Sequence, residues 1–208
     1  MLGSRELAPG LWRWTAPHPD WRPGASEGSP SHWERDVGCV LYDAPGATVL
    51  IDPLLPPDPA PFLAELDAHV RGRGLPVSVL TTIKWHRRSA PELRARYGAS
   101  RSRAAEALPD GVVAHWLRGA GEVVFWLPEK RALVPGDRIL GADGGHLRPC
   151  PSSWVAYLPS PPSPARLRAL LAPLCELPIE SVLVSHGEPV LRDGRRALLR
   201  ALEPPPGG

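Results

Sequence analysis

Charged and imidazole side chains follow three short apolar runs of this sequence, at the points where the runs give way to turns. The runs are Val77–Leu80, Ala132–Val134 and Ser181–Val184. Lys84 and His86 follow the first run, Asp137 the second and His186 the third. Strand ends that meet at one rim of a sheet are where layered α–β folds place their sites. Each run alone is better explained as an ordinary strand with a solvated turn, but all three in this order favour one shared site for ion binding or proton transfer.

The composition indicates a globular protein of one domain spanning residues 1–208. Of its 208 residues, 43% are hydrophobic and 22% charged, which suits one substantial core. A net charge of +2 offers no electrostatic case for nucleic acid as a partner. Six arginines nevertheless form a local basic stretch: Arg87, Arg88, Arg94, Arg96, Arg101 and Arg103. We interpret them as a solvated helix face and loop rather than as an anion-binding patch.

The cysteines and the longest apolar runs exclude several other classes of protein. Three cysteines without a CxxC pair argue against a disulfide framework or a thiolate zinc site. No run approaches the roughly 18 apolar residues of a membrane span, and the N-terminus lacks the pattern of a secretory signal. We therefore expect a cytoplasmic protein without a membrane partner, and its oligomeric state stays open.

Hydrophobic periodicity, turn residues and helix caps predict two clusters of strands with helices between and after them. The predicted strands are Gly10–Thr15, Val37–Tyr42, Thr48–Ile51, Val77–Leu80, Val112–Leu117, Glu122–Leu127, Ala132–Val134 and Ser181–Val184. The predicted helices are Phe62–Arg71, Ser89–Tyr97, Ser163–Leu174 and Arg192–Leu202, and residues 203–208 are expected to form a frayed tail. This pattern indicates an α+β fold in which two mixed sheets pack face to face with helices outside.

A long polar loop, residues 16–35, separates the first two predicted strands. It contains His18, Asp20, Trp21, His32 and Trp33. Loops of this length inside a compact domain are usually functional or disordered. Aromatic and imidazole side chains in such a loop suit the wall of a pocket, and they suit equally a hydrophobic plug that fixes the loop to the body of the protein.

Taken in order, these segments resemble the metallo-β-lactamase fold superfamily, whose members are hydrolases and a minority of oxidoreductases. The matching segments, which together extend over nearly the whole chain, are Ile51-Asp52, Leu80-Thr81, Glu122–Leu127 with Pro128-Glu129, Leu133–Asp137 and Ser185-His186-Gly187-Glu188-Pro189. The resemblance implies a four-layer αββα sandwich with its site at the strand ends.

The principal metal motif of the superfamily, Thr followed by His-x-His-x-Asp-His, is not retained. After Thr81 the six positions read Thr82, Ile83, Lys84, Trp85, His86 and Arg87. Both leading histidines are therefore absent, His86 replaces the general-base aspartate and Arg87 replaces the final histidine. A further histidine of the superfamily is replaced by the segment 118–121. Asp137 and His186 remain as ligand-type residues at matching positions.

Zinc needs three or four imidazole, thiolate or carboxylate ligands, with a position left open for substrate. Asp137 and His186 supply two of these ligands, and His86 could supply a third by leaning inward. His115 and His18 are remoter candidates. We therefore expect no dinuclear zinc centre and no cofactor, with a single zinc or iron ion as the alternative.

Two cations at ligand positions would oppose a metal ion. Lys84 and Arg87 would each repel a divalent ion by on the order of a few kcal/mol at about 4–5 Å and an effective dielectric constant near 20. Lys84 could instead form an ion pair with Asp137 that replaces a metal–carboxylate contact and keeps Asp137 ionised.

Two functions follow from these residues. The first is a metal-free, catalytically degenerate protein that binds a small anionic ligand. Its expected ligand-binding residues are Lys84, Arg87, Trp85, His18 and Trp21, supported by Arg88 and Trp33. The second is a divergent hydrolase, mononuclear or metal-free, in which His86 and Asp137 are catalytic and Asp137 and His186 hold any metal.

Overall fold

Five strands form the first of two mixed sheets in this computed structural model, which describes residues 4–99 and 108–204. The strands are β1 Ser4–Ala8, β2 Leu11–Pro17, β3 Asp36–Ala44, β4 Ala47–Ile51 and β5 Val77–Leu80, and they pair in this order. Pairing is antiparallel from β1 to β4 and parallel between β4 and β5. Ile51 lies opposite Leu80, so the residues that follow β4 and β5 emerge side by side at one rim.

The second sheet has four strands, which are β6 Val113–Leu117, β7 Glu122–Leu127, β8 Ala132–Val134 and β11 Ser181–Val182. Their order is β11-β8-β7-β6, and β11 and β8 are parallel, with Val182 opposite Leu133. Because β8 and β11 run in the same direction, the turns that carry Asp137 and His186 leave the sheet at the same end. A separate hairpin, β9 Ile139–Ala142 and β10 His146–Pro149, follows Asp137.

The described residues also form four α-helices, which are α1 Pro59–Arg73, α2 Ala90–Tyr97, α3 Pro164–Leu171 and α4 Gly194–Leu202. α1 and α2 end at glycines in the left-handed conformation, Gly74 with φ 63° and Gly98 with φ 62°. α3 begins where the Ser163 hydroxyl accepts a hydrogen bond from the backbone N–H of Arg166. These local signals are present in the sequence, which is why the helices were predictable.

Three apolar clusters define the layers of the fold. The central cluster joins the facing sides of the two sheets, with Tyr42 from the first sheet and Phe125 from the second. Leu50, on the other face of the first sheet, belongs to the cluster that includes α1 and α2. Leu133, in the second sheet, belongs to the cluster that includes α3 and α4. The predicted α+β class and the four-layer αββα order are confirmed.

The structure differs from the predicted elements at weakly patterned segments. β1, the polar segment Ser4–Ala8, and the β9–β10 hairpin were not predicted, since Gly141 and Pro149 within the hairpin are typical of turns. α3 is shorter than predicted, because Pro173 has no N–H to continue an α-helical ladder and the chain turns into a 3-10 helix over Ala172–Glu176.

Parts of two predictions lie outside the described residues: Arg101 and Arg103 of the basic stretch, and positions 205–208 of the tail. In the ranges 4–99 and 108–204, no helix is both long enough and apolar enough to cross a lipid bilayer.

Candidate functional site

Three buried side chains converge at the rim where β5, β8 and β11 end. His86, Asp137 and His186 are only 3%, 6% and 6% exposed. One ligand-type atom from each lies within 4.8 Å of the other two. The structure therefore brings together the three residues that the sequence offered as metal ligands.

His86 is held in place by Asp52, the first residue after β4. Lys84–Arg87 form a 3-10 turn, and within it His86 is the buried residue. Its Nδ1 lies 2.8 Å from Asp52 Oδ2, and the Asp52 carboxylate also accepts hydrogen bonds from the backbone N–H and the hydroxyl of Thr82. A carboxylate can only accept, so Nδ1 carries the proton of this contact. Nε2 of His86 is then the nitrogen that faces Asp137 and could bind an ion.

Asp137 lies in a turn whose backbone is bound by a second carboxylate. Glu122, which is buried, accepts hydrogen bonds from the backbone N–H groups of Gly136, Asp137 and Arg138 at 3.0, 2.6 and 3.0 Å. The Asp137 side chain is oriented in turn by Trp85, whose indole N–H donates to Oδ2 at 2.8 Å. Only Oδ1 of this carboxylate is left to face the two histidines.

His186 is positioned by a close approach between two segments of backbone. Gly187 has φ 81°, and a Cβ there would lie 2.4 Å from the carbonyl oxygen of Gly141, so the turn requires glycine. The backbone N–H of Gly141 donates to the His186 carbonyl at 2.9 Å. The imidazole Nδ1 of His186 is buried without a hydrogen-bond partner, since Glu34 Oε2 is 3.9 Å away.

The charges of these groups oppose and balance one another. Burial by itself lowers the pKa of His86, but the carboxylates of Asp137 and Asp52 outweigh burial and raise that pKa to about 9. Burial raises the pKa of Asp137, but the two imidazoles beside it hold that pKa well below its usual value. At His186, burial lowers the pKa and outweighs the Asp137 carboxylate, which by itself would raise it. Without a metal ion, the site therefore holds one imidazolium, one carboxylate and one neutral imidazole.

The remaining oxygen of Asp137 has the surroundings of a metal ligand. Oδ1 lies 3.0 Å from His86 Nε2 and 3.4 Å from His186 Nε2. Despite these short distances, this buried oxygen completes no hydrogen bond of regular geometry. Two ligand atoms that are each about 2.1 Å from one ion are about 3.0 Å apart at a right angle and about 3.4 Å apart at the tetrahedral angle. The two distances from Oδ1 are therefore those of ligand pairs on a single ion, and the histidine nitrogens lie within 4.8 Å of each other.

A two-ion centre does not fit these residues. Lys84 and Arg87 are exposed, and neither offers a lone pair at neutral pH. The hydroxyl of Thr82 is committed to Asp52, and Asp137 Oδ2 is committed to the indole of Trp85. That no dinuclear centre forms stays a prediction.

Arg88 ties together the strand ends that carry the site. Its guanidinium donates to the carbonyl oxygens of Gly38 and Asp52 at 3.1 and 3.0 Å, and to the Ser185 hydroxyl at 2.7 Å. The residue has φ 33°, an unfavourable conformation for a side chain with a Cβ. These three bonds give Arg88 a structural role, and Arg88 also lines the cavity, so the anion-binding role that we expected for it stays a prediction.

The three converging residues lie in a cavity of about 680 Å³ whose walls include several aromatic side chains. The aromatic lining residues are Trp33, Trp85, Trp154 and Tyr157. Trp154 and Trp33 stand edge-on to His186, with ring centroids 5.3 and 5.6 Å away. A cavity of this size suits a small molecule with an apolar body and a few polar groups.

The expected ligand-binding residues divide into two groups in the structure. Trp85 and His18 line the cavity, whereas Trp21, Lys84 and Arg87 are not among the residues that line it. Trp21 lies behind the wall, where its indole N–H donates to the carbonyl of Trp33.

The expected ion pair between Lys84 and Asp137 is wrong. Residues three apart in a 3-10 turn lie on the same side, and Lys84 and Arg87 share the exposed side of theirs. His86, not Lys84, supplies the positive charge beside Asp137.

The loop between β2 and β3, residues 18–35, acts as both wall and plug. Trp33 lines the cavity and also packs against two of the apolar clusters. Trp154 donates from its indole N–H to the carbonyl of Ser29 at 3.0 Å, which fixes the loop to the opposite wall.

Four residues of the site escaped the sequence analysis: Asp52, Arg138, Trp154 and Tyr157. Asp52 was noted only as part of the Ile51-Asp52 segment that resembles the superfamily, without a role in the site. Trp154 and Tyr157 lie in a proline-rich segment that carried no other signal. Arg138, which is fully buried, donates to the Trp154 carbonyl and the Tyr157 hydroxyl and so holds both aromatic side chains in the wall. The position of Arg138, directly after Asp137, was the one feature of the sequence that could have indicated a role in the site.

Several solved structures that share this fold are metallo-β-lactamases. The DIM-1 metallo-β-lactamase, solved after exposure to ceftazidime, is 14% identical with a TM-score of 0.60, over 96% of this chain and 94% of that one. The metallo-β-lactamase from Erythrobacter litoralis is 16% identical with a TM-score of 0.59, over 96% and 89%. The enzyme from Pontibacter korlensis is 14% identical with a TM-score of 0.52, over 97% and 99%. No protein-family model and no curated protein matches the sequence.

Proposed function

We propose that this chain, which has the metallo-β-lactamase fold, is a hydrolase that works with a single metal ion held by His86, Asp137 and His186. The observation that carries the proposal is Asp137 Oδ1, a buried oxygen without a regular hydrogen bond, 3.0 and 3.4 Å from two imidazole nitrogens. Two imidazoles and one carboxylate are a ligand set for zinc or iron(II). Such an ion, when bound, lowers the pKa of a coordinated water and polarises a carbonyl group.

The chain's own residues would prepare the site for this chemistry. Asp52 holds the His86 ring through Nδ1, and Trp85 holds Asp137 through Oδ2, so that both ligands keep one orientation. The aromatic walls would exclude water around a substrate and hold its apolar body. With Thr82 and Lys84 in place of two histidines, a second ion is not part of this proposal.

Metal analysis of protein purified without a histidine tag tests the proposal. We expect about one equivalent of zinc, iron or manganese per chain, lost in Asp137→Ala and His186→Ala and kept in the control His32→Ala, an exposed histidine outside the cavity. A panel of ester, thioester and lactone substrates should be hydrolysed by the metal-loaded protein and not by Asp137→Ala. Protein that holds no metal after zinc incubation and dialysis would contradict the proposal.

A second candidate is a metal-free, catalytically degenerate protein that binds a small ligand. It is favoured by the pKa of His86, about 9, because an imidazolium between Asp52 and Asp137 can replace the charge of an ion. The same metal analysis separates the two functions, since a persistent absence of metal in folded protein supports this second candidate.

A further inference from the structure

Lys84 places a positive charge beside two aromatic walls of the cavity. Its Nζ lies 4.9 Å from the ring centroid of Trp85 and 5.4 Å from that of Tyr157. These two rings contact each other edge-to-face at 4.4 Å and line the cavity, and they remain 40% and 43% exposed. Aromatic side chains that are both cavity wall and surface mark the mouth of the cavity, and the Lys84 ammonium lies beside these two rings although Lys84 does not itself line the cavity.

Lys84 has no acidic partner within the described part of the chain. The ion pairs formed there involve arginines and histidines, and no carboxylate reaches the Lys84 ammonium. The two other cations near the wall, Arg88 and Arg138, direct their guanidinium groups at protein carbonyls and hydroxyls. Lys84 is therefore an exposed cation beside the cavity that meets no carboxylate of residues 4–99 and 108–204.

We infer that the cavity takes a ligand with an apolar, ring-sized body and one carboxylate, and that Lys84 binds that carboxylate at the mouth. The apolar body would lie between Trp85 and Trp33, with the carboxylate directed outward to the ammonium. Cation–π contact with Trp85 and Tyr157 already orients the lysine, so little side-chain freedom is lost on binding. This inference rests on the proposed function in that it names the substrate class of the same site.

Binding of 2-naphthoate and of its neutral analogue 2-naphthamide, measured by titration calorimetry at low ionic strength, tests the inference. We expect naphthoate to bind about three- to tenfold more tightly than naphthamide, as suits one partly exposed ion pair. Lys84→Gln should abolish this preference and leave naphthamide binding unchanged. Lys130→Gln is the matched control, because Lys130 is the chain's other lysine and lies over Tyr42 outside the cavity.

The titrations are made on the protein as purified and again after dialysis against a chelator, so that a carboxylate bound to metal cannot imitate Lys84. A preference that survives in Lys84→Gln overturns the inference, and so does the absence of naphthoate binding at millimolar concentration. A Lys84-dependent preference in protein that never holds metal contradicts the single-metal hydrolase alone. A bound metal with no carboxylate preference contradicts the role of Lys84 alone.

Discussion

The indole N–H of Trp85 donates a hydrogen bond of 2.8 Å to Asp137 Oδ2. Trp85 and Asp137 are 52 residues apart in sequence, and this bond joins a partly exposed wall residue of the cavity to a buried one. It occupies one of the two oxygens that a carboxylate can offer to metal ions, and it leaves Oδ1 as the ligand atom. Trp85 thus lines the cavity and also orients the Asp137 carboxylate.

Trp85→Phe keeps the aromatic ring and removes this donor. A buried carboxylate oxygen then loses its partner, so we expect the free energy of unfolding to fall by about 1–3 kcal/mol. Metal affinity should fall as well, because Asp137 can rotate away from His86 and His186. Urea denaturation and competition with a chromophoric chelator measure the two effects. Trp116→Phe, on an edge strand where Trp116 is 52% exposed, should change stability by less than about 0.5 kcal/mol.

Asp52→Asn removes the charge that holds His86 through Nδ1. We expect metal affinity to fall by about 10–100-fold, as is typical when the partner of a metal-binding histidine is lost. Asp43→Asn is a matched control, since Asp43 Oδ1 lies 2.8 Å from His69 Nε2 in an Asp–His pair away from the cavity. Equal metal affinity in wild type and Asp52→Asn would show that Asp52 does not position His86.

The elements predicted correctly are those in which local signals and burial agree. Val77–Leu80 is apolar at three of its four positions and forms the buried strand β5. α2 has residues typical of helix ends, with Ser89 before it, Pro91 in its first turn and Gly98 after it. Ser89 Oγ nevertheless accepts a hydrogen bond from Leu55 N instead of capping the helix. The β9–β10 hairpin was missed because cross-strand pairing overrides the poor strand propensity of Gly141 and Pro149.

The position of the site was predictable from its strand ends, but the direction of each side chain was not. The sequence shows Lys84 and Arg87 at ligand positions, and only the 3-10 turn reveals that both face outward while His86 faces inward. The role of Asp52 could not be predicted from the sequence either. Its contact with His86 spans 34 residues and depends on the parallel pairing of β4 with β5.

The stability of the metal-free protein should depend on the ionisation of His86. Its pKa is raised to about 9 in the folded protein against an ordinary value of 6.5, so its proton stabilises the fold. This contribution is fully present below pH 6.5, and it is lost as the pH rises from there through 9. We expect the melting temperature in chelator to fall over this interval more steeply for wild type than for His86→Gln.

The difference in melting temperature between wild type and His86→Gln, followed over this pH range, isolates the effect of His86 from that of the other groups that titrate there. A bound metal ion should flatten the wild-type profile, because the ion replaces the Nε2 proton. Parallel profiles for wild type and His86→Gln in chelator would contradict the charged state assigned to His86.

Arg88 and its neighbour Arg87 allow a direct comparison of a structural and a solvated arginine. Arg88→Lys keeps the charge, but a lysine has one terminal nitrogen and cannot replace the two guanidinium nitrogens that bind Gly38, Asp52 and Ser185 together. Leaving buried acceptors without donors should lower the free energy of unfolding by about 1–3 kcal/mol. Arg87 is exposed, so Arg87→Lys should change it by less than about 0.5 kcal/mol.

The effect of Arg88→Lys should extend from stability to the metal site. The three groups that Arg88 joins belong to the strand ends beside His86 and His186, so loosening them should weaken metal binding while Arg87→Lys leaves it unchanged. Urea denaturation of metal-free protein and chelator competition on loaded protein measure the two effects separately. If Arg88→Lys lowers stability but binds metal as wild type does, the ligands are held by their own turns, with Asp52, Glu122 and Trp85 sufficient to orient them.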